Sequence, residues 1–427
     1  MDLTPSRGTH DLMPPAGGVM RAVYDRAAAL ARAYGYRYIE TPVFEATELF
    51  TRTSGATSDV VSKEMYTFND RGDRSLTLRP EGTAPVMRAY LHERQRLGAP
   101  FKTYYLTRMY RYSRPQAGRL REHRQFGVEV FGTDAPEADV EVMSVGDAFL
   151  RSLDLRRYHL EINSIGDDVC RPAYRDVLVA FLDTHRDALR DEHKDRFEDN
   201  PLRVLDCKDE ACRTVVAEAP RMVEHLCEAC GTHFDAVLAG VRAAGLEPVV
   251  TPTLVRGLDY YTRTAFEFVS EAMRERGNAQ QSTLFGGGRY DGLAEALGGP
   301  HVPGVGFGMG LERVLIALDD EGISPPREPA LDVYVIALGD GARDVGRTLV
   351  RDLRAADVAA DLPYEDRPMK AQLKLAARAG ARYAAILGDQ ELAAGTVTLR
   401  RMVDGVQVTV SRNTVATHVM TDQGSGA

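Results

Sequence analysis

RQFGVEVFG, residues 124–132, is the stretch on which the fold turns. Its apolar residues Phe126, Val128 and Val130 fall on one face of a strand, while Gln125 and Glu129 share the other with Gly127 between them. Alternation of this kind marks a strand with a core on one side, as antiparallel sheets allow. The polar face is either an ordinary solvated surface or two hydrogen-bonding groups flanking a vacant space. Neighbouring segments repeat the pattern: SLTLRPEGT (75–83), FKTYYLTRMYR (101–111) and YHLEINSIG (158–166) alternate too, which predicts an antiparallel sheet.

Upstream, Met20, Val23, Ala27, Leu30, Ala31 and Tyr34 recur at helical spacing, and Gly35 is placed to end an amphipathic helix. RYIETPVFE (37–45) then reads as a short strand broken by Pro42, which has no N–H to give a ladder. Downstream, residues 171–250 change to helical runs rich in Ala, Leu, Arg and Asp. Strand patterns return in YYTRTAFEFV (260–269) and lead through FGGGRYDGL (285–293) into GVGFGMGLERVLIAL (304–318). The chain therefore divides into a sheet-forming part (1–170), a helical insertion (171–250), a part that completes the sheet (251–322), a proline-rich linker ISPPREPA (323–330) and a second region (331–427). In that last region strands and helices alternate, which predicts a small, mainly parallel α/β domain ending in a frayed GSGA tail.

A chain of 427 residues with 44% hydrophobic and 27% charged residues is globular, and long enough for two or three domains. The start MDLTPSRGTHDLMPP lacks the apolar run of a secretory signal, and no eighteen apolar residues run together, so a cytoplasmic protein without a membrane partner is expected. The net charge of -9 argues against a wholly basic nucleic-acid binder but leaves room for a local basic surface. Arg108, Arg111, Arg114, Arg119, Arg121 and Arg124 form one such cluster, which is either a solvated loop or a binding surface. The odd count of five cysteines argues against a disulfide framework. Cys207 and Cys212, followed by Cys227 and Cys230, have a spacing that zinc could use, although the first gap is loose. Ordinary reduced thiols fit as well, and no metal ligand is assigned.

Several groups capable of chemistry gather around the strands. Arg111 ends the strand before Gln125 and delivers a guanidinium, a bidentate partner for phosphate. Glu81 and Thr83, with Gly82 between them, place a carboxylate and a hydroxyl where an ammonium group could be held; Arg79 beside them fits a salt-bridge role equally well. LVRGLDYYTRT (254–264) supplies Arg256, Asp259, Tyr260 and Tyr261, and FGGGRYDGL supplies Arg289, Tyr290 and Asp291 after three glycines. Tyrosine hydroxyls can wall a small pocket and bond its contents. The glycine run is a simple turn or a place of close approach. It is not a phosphate P-loop, because the Gly-Lys-Ser/Thr ending is missing.

In residues, order and spacing, essentially the whole chain resembles the class II aminoacyl-tRNA synthetases, and among them the histidyl-tRNA synthetases. The helix before Pro42 looks like the family's dimer-forming first motif, MYRYSRPQAGRLREHRQFGVEVFG (109–132) like its second and GVGFGMGLERVL (304–315) like its third. LVRGLDYYTRT and FGGGRYDGL look like the two peptides peculiar to the histidine enzymes. The resemblance implies an α+β fold: a catalytic antiparallel sheet flanked by helices, a helical insertion and a C-terminal α/β anticodon-binding domain. It implies an ATP-dependent ligase that activates L-histidine to an adenylate, with Mg²⁺, and transfers it to the 3′ end of histidine tRNA, working as a homodimer.

The resemblance also assigns roles. Arg111 and Arg256 would be catalytic, Arg111 on the ATP α-phosphate and Arg256 between that phosphate and the attacking carboxylate. Arg119 and Arg313 would bind the rest of the nucleotide. Glu81, Thr83 and Gln125 would hold the histidine ammonium group, with Gly82 also among the histidine-binding residues, Glu129 and Tyr261 would bond the imidazole nitrogens, and Tyr260 and Tyr290 would line the pocket. Arg114 and Gln116 are the candidates for the tRNA acceptor end, with its extra 5′ guanosine. Two rivals share the fold: a non-catalytic histidine-sensing regulatory paralogue of ATP phosphoribosyltransferase, and a ligase that passes the adenylate to a substrate other than tRNA. The paralogue usually lacks the C-terminal domain and loses catalytic residues; here residues 331–427 and Arg256 both oppose it.

Overall fold

The structure is a computed structural model that describes residues 3–53, 60–195, 197–207, 209–276, 282–327 and 331–422. Linker residues 328–330 and the GSGA tail lie outside the described residues. The chain forms two compact units, Met1–Arg327 and Glu328–Ala427.

The first unit is built on an eight-stranded sheet of order β1-β5-β6-β11-β10-β9-β7-β8. Its strands are β1 (Arg37–Tyr38), β5 (Phe101–Tyr110), β6 (Glu122–Phe131), β7 (Tyr158–Ser164), β8 (Pro248–Val250), β9 (Thr262–Ser270), β10 (Thr283–Arg289) and β11 (Gly304–Gly310). Pairing is antiparallel through the middle and parallel only at the two edges, β1 with β5 and β7 with β8. Phe126, Val128 and Val130 enter one core with helices α1 (Ala16–Ala33), α3 (Pro136–Ser152), α5 (Glu228–Ala243) and α6 (Leu311–Asp320). On the opposite face Tyr105, Tyr260, Tyr261 and Tyr290 pack with Val86 and Met87 of helix α2 (Thr83–Leu97). The aromatic face is the one that carries Gln125 and Glu129.

Proline splits what the sequence presents as one strand. Residues 37–38 join the large sheet, whereas beyond Pro42 the chain enters a separate three-stranded sheet, β2 (Phe44–Ala46), β4 (Ser75–Leu78) and β3 (Tyr66–Asn69). SLTL therefore belongs to the small sheet and not to the large one. Arg79 fastens the break: its guanidinium donates to the carbonyls of Thr41 at 2.6 Å, Pro42 at 3.1 Å and Arg108 at 2.9 Å. Its structural role is thus met by backbone oxygens instead of a carboxylate.

The first helix runs over 16–33, Gly35 following it at φ +80, as the spacing predicts. Its apolar stripe of Met20, Val23, Ala27 and Ala31 is buried in its own core, so that face offers nothing to a second copy. The inserted helices do not behave as one block. Helix α4 (Arg171–Thr184) shares a small core with residues out to Cys230 at the start of α5, whereas α5 further on buries Phe234, Val237 and Val241 in the main one. The four cysteines in zinc spacing do not converge either. Cys227 and Cys230 lie with Cys170 and Asp167, and Cys207 and Cys212 lie with His193.

The second unit has a five-stranded sheet of order β13-β12-β14-β15-β16, comprising β12 (Val333–Ala337), β13 (Ala360–Asp361), β14 (Tyr383–Leu387), β15 (Thr396–Arg401) and β16 (Gln407–Ser411). Only β12, β13 and β14 pair in parallel; β15 and β16 add an antiparallel hairpin, so the sheet is mixed and not mainly parallel. The signal for that hairpin is Asp404-Gly405 between two alternating runs, with Gly405 at φ +75 and the Asp404 carboxylate accepting from Val406 N at 3.1 Å. Helices α7 (Asp340–Ala355) and α9 (Val415–Thr421) cover one face and α8 (Met369–Arg378) the other.

Candidate active site

The register of the large sheet sets the site. Along β6, Gln125, Gly127 and Glu129 stand opposite Gly310, Gly308 and Gly306 of β11 and opposite Thr107, Tyr105 and Thr103 of β5. Gly127 leaves no vacancy, because the Tyr105 ring fills the space where a Cβ would stand. Gly306 likewise yields its side-chain volume to the Glu129 carboxylate, and Gly286 yields to Arg256, whose Nη1 would lie 2.5 Å from an added Cβ. FGGGR is therefore no turn but the central strand β10, stripped of side chains so that those of its neighbours fit.

At one end of this face lie two buried carboxylates. Glu129 is fully buried and accepts hydrogen bonds from the hydroxyls of Thr83 at 2.8 Å, Tyr105 at 3.4 Å and Tyr290. Burial pushes its pKa up to about 8, with the bonds from Tyr290 and Thr83 working the other way and the nearby Glu81 adding to the rise. Glu81 sits before helix α2 and accepts from the backbone N–H groups of Thr83 at 2.7 Å and Ala84 at 3.0 Å. Burial raises its pKa as well, while those N–H groups and Arg111 oppose the rise. Tyr260, Tyr261 and Tyr290 close this end, with ring centroids 4.7 to 6.2 Å apart.

At the other end, guanidinium groups crowd together. Arg111 follows β5 and donates from Nε to Pro80 O at 2.7 Å; Arg313, in the first turn of α6, donates to Gly118 O at 3.2 Å and Thr283 O at 2.8 Å. Arg256 lies over the Tyr261 ring at 5.7 Å and pairs with Glu267 of β9, whose other oxygen accepts from Thr283 Oγ1 at 2.8 Å. Burial and the positive charges of Arg111, Arg119 and Arg256 hold the Arg313 guanidinium below its ordinary pKa, against the pull of Glu267. His123, two residues before Gln125 on the same face, is pushed down to about 3 by burial, Arg111 and Arg313, and so stands neutral among cations. Arg111, Arg256 and Arg313, all partly buried, outnumber the carboxylate of Glu267 among them and leave positive potential that a polyanion would neutralise.

Most of the candidate residues converge on these two ends. Arg119 is half exposed and ion-paired with Glu64, and Arg114 and Gln116 lie on the exposed loop before it, where Gln116 and Arg119 exchange backbone hydrogen bonds of 3.1 and 2.9 Å. Arg289 belongs elsewhere. Fully buried, it pairs with Asp139 and donates to Thr133 O at 3.0 Å and Ala135 O at 3.2 Å. Asp291 joins that scaffold, and Asp259 meets Asn200 of the inserted segment at 3.4 Å. Sequence reasoning missed Tyr105, His123, Glu267 and Glu312. The last fixes α6 to β6 by accepting from Arg124 N at 3.0 Å and Arg124 Nη1 at 3.1 Å. For His123 the signal was available, since it continues the Gln125 and Glu129 face by one more alternate position.

A family model described as histidyl-tRNA synthetase matches residues 8–314, and one described as an anticodon binding domain matches residues 332–421. The chain is 50% identical over 402 residues to a histidine–tRNA ligase of Moorella thermoacetica, covering 94% of each chain. It is 45% identical over 405 residues to one of Caldanaerobacter subterraneus, covering 95% of this chain and 96% of the other. Apo histidyl-tRNA synthetase of S. aureus superposes with a TM-score of 0.82 at 35% identity, over 98% of this chain and all of that one. With both family models matched in order and near-full-length relatives this similar, the chain belongs to the histidyl-tRNA synthetase family.

Proposed function

We infer that this chain is a histidine–tRNA ligase, an ATP-dependent aminoacyl-tRNA synthetase of class II. The observation that carries its chemistry is the polarity of one sheet face: buried carboxylates and tyrosines at one end, converging arginines at the other. Such a face suits an amino acid with a hydrogen-bonding ring beside a triphosphate. Glu81, Gly82, Thr83 and Gln125 take the histidine ammonium group, and Glu129 and Tyr261 the ring nitrogens, within walls formed by Tyr260 and Tyr290. Tyr105 and Tyr290 hold the Glu129 carboxylate in place, so that an analogue without the ring nitrogens would strand buried polar groups.

Two anions must meet for the carboxylate to attack the α-phosphate. Arg256 and Arg111 flank that meeting point and offset the charge that gathers on phosphoryl oxygens as pyrophosphate leaves. Arg313, with Arg119, holds the far end of the nucleotide. No protein nucleophile is needed, because placement supplies the acceleration. Glu267, which pairs with Arg256 and acts on Arg313, would be the oxygen donor for Mg²⁺, and the ion would supply charge neutralisation on the triphosphate. In the second step the 3′ hydroxyl of histidine tRNA attacks the adenylate, with Arg114 and Gln116 placed on the loop that would meet the acceptor end. Residues 331–427 would read the anticodon.

We place this activity in the cytoplasm, carried out by a homodimer. No helix among the described residues is long and apolar enough to cross a membrane. Tyr38, Val43, Phe44 and Phe68 are exposed around β1, β2 and β3, and they, rather than the stripe of α1, are the apolar surface a second copy would cover. The regulatory paralogue is not favoured, since the near-full-length relatives are named as histidine–tRNA ligases, and the presence of Arg256 supports the same reading. The test is histidine charging of histidine tRNA with and without its extra 5′ guanosine. Charging that depends on the guanosine is expected; no charging of either tRNA by folded protein would overturn the reading.

A further inference from the structure

Away from the pocket, the sulfurs of Cys170, Cys227 and Cys230 and a carboxylate oxygen of Asp167 all lie within 4.8 Å of one another. Two similar turns bring them together. Asp167 and Cys170 are separated by two residues, as are Cys227 and Cys230; Cys170 directly precedes α4 and Cys227 directly precedes α5. Each pair therefore lies at the start of a helix, and the two helix starts meet at the four donors. Gly166, at φ +66, lets the first turn close: a Cβ there would meet Cys170 Sγ at 2.8 Å.

The spacing of the donors fits a particular ion. A tetrahedral zinc with Zn–S of about 2.3 Å and Zn–O of about 2.0 Å separates two sulfurs by roughly 3.8 Å, and a sulfur and an oxygen by roughly 3.5 Å. Cys170 Sγ and Cys227 Sγ lie 3.5 and 3.9 Å from Asp167 Oδ1. None of the three cysteines is in a disulfide. The Asp167 carboxylate is offset only in part by Arg263, 3.6 Å from its other oxygen. Asp167 Oδ1 also accepts from the backbone N–H groups of Val169 at 3.1 Å and Cys170 at 3.4 Å, which hold the carboxylate turned toward the three sulfurs.

We propose that Asp167, Cys170, Cys227 and Cys230 form a tetrahedral structural zinc site. Four protein donors leave no open position, so the ion braces the fold and takes no part in the reaction. It clips the start of the inserted helices to their end. Arg171, next to Cys170, donates to the backbone oxygens of Ile165 at 3.1 Å, Gly166 at 2.9 Å and Tyr261 at 2.8 Å, so the same clip steadies a wall of the amino-acid pocket. His193, Cys207 and Cys212 offer three donors among the described residues and serve as the internal control.

The experiment is metal analysis of the full chain, expressed with zinc and dialysed to remove loosely held ions. About one zinc per chain is expected for this closed site. That zinc should be lost in Cys227→Ser and Cys230→Ser and kept in Cys207→Ser; a second ion lost only in Cys207→Ser leaves the proposal standing. Because the serine variants can misfold, Co²⁺ is also loaded into the unaltered chain, where tetrahedral thiolate coordination gives intense visible and near-ultraviolet bands. Folded protein that holds no zinc, zinc that leaves on Cys207→Ser but stays on Cys227→Ser, or bound cobalt without thiolate bands would each overturn the site.

Discussion

The two ends of the pocket are built on opposite electrostatic principles. At the proposed amino-acid end, Glu129 meets three hydroxyls and Glu81 two backbone N–H groups, so the buried carboxyls are held in a fixed shape by hydrogen bonds. At the nucleotide end, Arg111, Arg256 and Arg313 share Glu267, two backbone carbonyls from β10 and the loop before β6, and one from Pro80. There the charge is left over. In the proposed ligase, selectivity would come from the first arrangement, because a hydrogen-bonded network rejects what does not complete it. Rate would come from the second, because fixed cations gain most when negative charge develops beside them.

Arg256→Ala should break the nucleotide end most deeply. Adenylate formation is expected to fall about 10³-fold, near 4 kcal/mol, while histidine binding by calorimetry changes little. Near-unchanged turnover would mean that the guanidinium does not act on the transition state. Glu129→Gln should damage the other end instead: kcat/KM for histidine is expected to fall about 10²-fold, some 3 kcal/mol, with KM for ATP nearly unaffected. Equal losses in both KM values would dissolve the distinction between the ends.

A pH series sharpens the comparison. A carboxyl raised from 4.5 to about 8 binds more protons in the folded than in the unfolded chain across that window. Its contribution to stability is therefore complete below the unfolded value and is lost as pH rises toward 8. Histidine affinity should move the opposite way, rising by up to about tenfold per pH unit toward 8 as Glu129 ionises to accept from the ring. Glu129→Gln should flatten both trends, as read by thermal melts and binding titrations; an unaltered slope would place the titration elsewhere. The smallest effect is expected from Arg119→Ala. Already half exposed and paired with Glu64, it should raise KM for ATP by less than about tenfold.

The period-two alternation of 101–110 and 122–131 was enough to set the large sheet and its two faces, because side-chain direction follows from it. Pocket residues lying on alternate positions of one strand, Gln125 and Glu129, could be found in the same way. Partners brought in by register could not. Tyr105 fills the space beside Gly127 only because β5 and β6 pair in one register, and Glu267 reaches Arg256 across a loop and a strand. Composition left two readings of the three glycines in FGGGR, a turn or a place of close approach, and packing uses the second: they form a strand whose neighbours need the room. The cysteine spacing showed two pairs, but only tertiary structure showed that Cys227 and Cys230 go with Cys170 and Asp167.

Everything said of the two ends requires that they act on one histidine and one ATP in the same pocket. Histidine-dependent exchange of pyrophosphate into ATP, measured with Mg²⁺ and across the other amino acids, tests this without tRNA. Exchange is expected with histidine and none above background with the rest. Folded protein that shows no exchange with histidine, or exchange as fast with another amino acid, would contradict it.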